Sequence, residues 1–85
     1  MNLSYTIARY EEVSGEFLVA FNVISDNNDS AYVESYLTLE EIKEKTSQEI
    51  CQLAYEKVKV KIELLKKKFE TNSVSVVGYQ FIPVE

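Results

Sequence analysis

The stretch from Thr46 to Phe69 constrains this chain most, because no other segment is long enough and periodic enough to form the main helix of a small domain. Residues are placed at 100° steps from Ile50, as a helical repeat requires. Cys51, Ala54, Tyr55, Val58, Ile62, Leu65 and Phe69 then share one sector, roughly 100° wide, the width of a core-facing stripe. Leu53, Val60 and Leu64 form a second, narrower stripe, set off from the first by a line of Ile50, Lys57, Lys61 and Lys68. A sheet can cover the first stripe. The second needs a loop, the chain's own termini or another molecule, with lysine stems lying along it and their ammonium groups in water.

The residues before this helix read as strands. Leu3, Tyr5 and Ile7 alternate with Ser4, Thr6 and Ala8, which predicts a strand over about 3–10. Ser14-Gly15 supplies the positive φ a hairpin connection wants. The second strand, about 17–25, is apolar on both sides: Phe17, Val19, Phe21 and Val23 share one face, and Leu18, Ala20 and Ile24 the other. Such a strand belongs in the middle of a sheet. A polar turn at 26–30 leads to a third strand over about 31–37.

Thr38-Leu39-Glu40-Glu41 has capping-box spacing, with Leu37 and Ile42 placed for a hydrophobic staple, and Thr46-Ser47-Gln48-Glu49 repeats the box. A short helical piece at about 39–44, a break near Thr46 and a helix over about 47–70 are therefore expected, ending at Thr71-Asn72-Ser73. The β-branched and aromatic run over about 74–82 predicts a fourth strand, closed by Pro83. The expected fold is a single α+β domain of order β-β-β-α-β: a four-stranded, mainly antiparallel sheet on one long helix. With a right-handed crossover its strand order is 4-1-2-3. A helix of this length also outreaches the strands, about 35 Å against 25 Å, so part of it overhangs.

Chemistry is bounded by what the sequence lacks. With no histidine, imidazole-based catalysis and zinc binding are excluded, and no metal or cofactor site is expected. The single cysteine, Cys51, lies in the sheet-facing stripe and reads as core. Asp26, Asn28 and Ser30 imitate the start of a calcium loop, but Ala31 stands where glycine is required and Leu37 where the bidentate glutamate belongs. Gly15 and Gly78 stand alone, so there is no phosphate-binding glycine loop. Met1–Tyr10 has no basic segment followed by an apolar run, and no apolar run approaches a membrane span, so a soluble cytoplasmic protein is expected.

Net charge is −5, unevenly spread: residues 1–56 hold three Lys/Arg against eleven Asp/Glu, while residues 57–70 hold six lysines against two glutamates. Acidic residues in the first turns and lysines in the last complement the helix dipole. Nucleic-acid binding through Lys57–Lys68 is a third-ranked reading, because no extended basic stripe with stacking aromatics accompanies it.

Over residues 4–64 the layout resembles short uncharacterised proteins of tailed phages and prophages. The shared features are a Tyr5-Thr6-Ile7 opening strand, a glycine-bearing hairpin, a third strand and Leu37-Thr38-Leu39-Glu40-Glu41-Ile42 leading into a helix. The resemblance implies a virion-associated or accessory protein, including one that inhibits host defence, and carries over no functional residue.

Two functions follow as expectations. The first is a non-enzymatic protein-binding protein expected to form a homodimer, because Leu53, Val60 and Leu64 beside Lys57, and the tyrosine face of Tyr32, Glu34 and Tyr36, suit an interface with a protein partner. The alternative is an acidic inhibitor of a host defence nuclease, similar to anti-CRISPR proteins, in which Glu11, Glu12, Glu16, Asp26 and Asp29 stand in for phosphates.

Overall fold

Three strands and three helices follow one another along the chain: β1 (Leu3–Val13), β2 (Glu16–Ser25), β3 (Ser30–Leu37), α1 (Leu39–Ile42), α2 (Ser47–Lys57) and α3 (Lys59–Asn72). The computed structural model describes residues 2–72 and 77–84. The sheet is an antiparallel meander of order β1-β2-β3, with β2 central as its two-sided apolar pattern requires. Ser14 and Gly15 both take positive φ, 52° and 84°, the backbone signature of a tight hairpin turn that follows the twist of its strands.

The four-stranded expectation is corrected: the sheet has three strands, not four. Residues 74–76 of the expected last strand lie outside the described residues, and so does Ser73 beyond the helix end. Residues 77–82 are described, and they are exposed and form no strand. The order 4-1-2-3 falls with it, and among the described residues β1 pairs with β2 alone. Composition alone suggested this strand; a strand also needs a paired neighbour, which local propensity does not supply.

The long helix is also interrupted. α2 ends at Lys57, Val58 adopts φ −111° and ψ 12°, and α3 begins at Lys59. The cause is visible in Lys57-Val58-Lys59-Val60-Lys61-Ile62, where β-branched residues alternate with lysines at the period of a strand. Burial nevertheless follows the helical period, with Val58 and Ile62 buried and Val60 exposed between them. Both expected caps form. Thr38 and Glu41 close one capping box and Thr46 and Glu49 the other, and the chain breaks between them where Glu44 takes φ 60°.

The core lies between the sheet and the helices. Val19, Phe21 and Val23 of β2 and Val33 and Leu37 of β3 meet Ala54, Val58, Ile62 and Phe69. Between the layers the Ser35 hydroxyl, itself buried, donates to the carbonyl of Ala54 at 2.8 Å. β1 contributes less. A bulge between Ile7 and Arg9 leaves Ala8 unpaired, so Tyr5, Ile7 and Tyr10 share the helix-side face while Arg9 turns to the other. The three apolar residues remain partly exposed, with Tyr5 edge-on to Tyr55 at 5.5 Å and Tyr10 stacked on Phe17 at 6.2 Å.

The chain is elongated, 62 × 25 × 17 Å, with a radius of gyration of 17.6 Å. A compact domain of this length has a radius near 12 Å. Its accessible surface of 6420 Å² likewise exceeds the roughly 5,200 Å² expected of a compact monomer of its mass.

Candidate functional site

Tyr32, Glu34 and Tyr36 alternate along β3 and so project from one side of the strand, opposite the buried Val33, Ser35 and Leu37. Among the described residues no element forms a second layer on that side, yet Leu18 and Ala20 are buried there. Their cross-strand neighbours are Glu11 and Tyr36 for Leu18, and Arg9 and Glu34 for Ala20. Long stems and rings lying over the strand supply the cover that a layer would otherwise give.

A polar network orders this face. An Arg9 guanidinium N–H donates to the Tyr32 hydroxyl at 3.3 Å, and that hydroxyl donates to a Glu34 carboxylate oxygen at 3.1 Å. Arg9 also pairs with Glu11, and more loosely with Glu34 at 3.8 Å. Hydrogen bonding to Tyr32, then to Glu11, pushes the Arg9 pKa further up, so its charge is fixed at any working pH. Tyr32 is thereby held between two charged neighbours, Arg9 and Glu34, with its ring still exposed.

Beyond β3, α3 forms a second wall. Between the two lies an open groove of about 570 Å³, within the range of ligand sites. The strand contributes Tyr32, Glu34 and Tyr36; the helix contributes Leu64 and Leu65, flanked by Lys61 and Lys68. Val60 lies one turn before Leu64 on the same helix face. Leu64 is 61% exposed and Val60 75%. Leu53 departs from its expected role: it is half-buried and packs against the core, on α2, whereas Val60 and Leu64 lie beyond the break at Val58 on α3.

Lys57 is engaged within the chain. Its ammonium donates to Glu41 at 2.6 Å and to the carbonyl of Tyr36 at 3.3 Å, tying α1 and α2 to the end of β3. That bond, together with the backbone N–H of Thr38, holds the Glu41 carboxyl below the usual glutamate value. A lowered folded pKa means stability present above the ordinary carboxylate range and lost as pH falls through it to the folded value. Glu41→Gln is therefore expected to flatten the fall in stability below about pH 4.5, and added salt to shrink the difference; urea titrations at neutral and acid pH check this. A mutant curve parallel to wild type throughout would refute it.

The acidic residues are not brought together. Glu11, Glu12 and Glu16 sit at the β1–β2 hairpin and Asp26 and Asp29 at the β2–β3 turn, opposite ends of the sheet separated by the length of β2, about 33 Å. At the second turn the Ser25 hydroxyl accepts from the backbone N–H groups of Asn27 and Asp29, giving that loop a structural role.

A second cavity, about 410 Å³, lies between β1 and the start of α2, where Ile7 and Tyr10 face Ile50 and Cys51. Cys51 is thus half-buried at a cavity wall rather than fully in the core. Among the described residues no group of three acidic or cysteine side chains is placed to hold a metal ion, and no helix is long and apolar enough to cross a membrane.

Sequence reasoning named Tyr32, Glu34, Tyr36 and Leu64, which the structure gathers around one groove. It missed Arg9, Leu65 and the flanking Lys61 and Lys68 as parts of that site. A signal existed for the helix residues, since 61, 64, 65 and 68 are spaced three and four apart; Arg9 reaches the face only through the bulge, which the sequence does not announce. No family model, no curated protein and no solved structure matches this chain.

Proposed function

We propose that this chain is a non-enzymatic cytoplasmic protein that works by binding protein, and that it associates with a second copy of itself through the β3–α3 groove. The observation that carries this reading is the exposure of Leu64 on α3 opposite Tyr32 and Tyr36 on β3, around one open cleft, with Val60 exposed one turn earlier on the helix. The Tyr32 ring with its hydrogen-bonded hydroxyl and the Tyr36 ring, beside aliphatic side chains, have the composition of an interface centre, with lysines and a glutamate forming a polar rim. The surface excess over a compact monomer, roughly 1,200 Å², is more than each partner contributes to a standard interface. Size-exclusion chromatography with light scattering over a concentration series is expected to give a dimer whose population rises with concentration. A strict monomer at high micromolar concentration would defeat the proposal.

A further inference from the structure

We infer that the occupant of the β3–α3 groove is the segment 79–84 of a second copy of this chain, exchanged reciprocally between two protomers. This rests on the self-association proposed above and specifies what the groove takes.

The donor is an apolar segment displayed to solvent. Tyr79 and Phe81 are each 74% exposed, Ile82 is 84% and Val84 fully exposed. Four large apolar side chains within six residues make a patch that a monomer of net charge −5 has no reason to present. The acceptor is the groove, with Leu64 and Leu65 on one wall and the rings of Tyr32 and Tyr36 on the other. Its volume suits two aromatic side chains and the backbone between them. Charge agrees as well, because the segment carries no lysine or arginine and is followed in sequence by Glu85, whereas the helix wall carries Lys61 and Lys68.

Area decides in favour of exchange. An aromatic side chain buries about 150–250 Å², so Tyr79 and Phe81 with their aliphatic neighbours remove several hundred Å² per segment. Two-fold symmetry uses each contact twice, and with the matching groove surface the total reaches the range of stable interfaces, about 1,200–2,000 Å². Contact between two grooves alone would leave both segments in water.

The test uses the full chain, with light scattering for assembly and circular dichroism for folding. Tyr79→Ser/Phe81→Ser removes the donor, and Leu64→Glu spoils the acceptor; all three positions are exposed, so both variants are expected to fold. Each is expected to dimerise at least about 30-fold more weakly than wild type. Mixed in equal amounts, the two variants are expected to recover a heterodimer, since one supplies an intact segment and the other an intact groove. If Tyr79→Ser/Phe81→Ser dimerises as tightly as wild type, the segment is not the occupant, while self-association stands. Two folded variants that give no heterodimer likewise overturn the exchange. A wild type that stays monomeric, whether its own segment fills its own groove or a foreign protein is required, overturns both readings.

Discussion

Replacing Ile62 by alanine is expected to destabilise the fold by about 2–5 kcal/mol, whereas Val60→Ala, two residues away, is expected to change it by less than about 0.5 kcal/mol. Ile62 is 1% exposed and sits among the side chains that join α3 to the sheet, so truncation leaves a cavity as well as losing transfer free energy. Val60 faces solvent, and alanine there also removes a β-branched side chain from a helix that starts with too many. Total stability for a chain of this size is on the order of 4–13 kcal/mol. The first variant therefore loses a large share of its folding free energy. Urea unfolding of both proteins, at concentrations low enough to hold them monomeric, checks the contrast; equal losses at the two positions would mean that α3 is not seated as described.

The second large effect is expected at Ala54. This residue is fully buried at a contact between α2 and β3, and its carbonyl accepts the Ser35 hydroxyl. Two small side chains permit that approach. Ala54→Leu adds bulk at a contact with no room, which costs about 1–3 kcal/mol from overpacking, and pushing the helix away also strains or breaks the buried hydroxyl bond. Ser35→Ala isolates the second part, at about 1 kcal/mol. The measurement is the shift in urea midpoint for both variants, and an Ala54→Leu protein as stable as wild type would show that the layers are not in close contact there.

These two residues also mark how far the sequence could be read. Ala54 was legible as a member of the core-facing stripe, and Ser35 follows on the face opposite Tyr32, Glu34 and Tyr36, because helix and strand periods sort side chains into in and out. Their direct contact was not, since it depends on where the helix crosses the sheet. The caps at Thr38 and Thr46 were fully legible, being local chemistry over four residues. The break at Val58 was present in the alternation of lysine with valine, but the sustained apolar stripe argued for continuity and outweighed it. The run after Ser73 misled for the opposite reason: its composition is that of a strand, and whether a strand forms depends on a neighbour to pair with. The groove stood between these cases. Tyr32, Tyr36 and Leu64 were each marked as surface apolar residues, and only the path of α3 beside β3 set them face to face.

β1 carries a different consequence. Among the described residues it is an eleven-residue strand with one margin unpaired, which in a protein with this much uncovered apolar surface invites runaway polymerisation into fibres. The kink at Ala8 and the charges of Arg9, Glu11 and Glu12 beyond it spoil the flat, neutral template that such stacking requires. The margin therefore disfavours stacking, and if the cleft at the far side of the sheet seats a second copy as proposed above, a chain built this way can stay dispersed at concentrations where it still finds its mate.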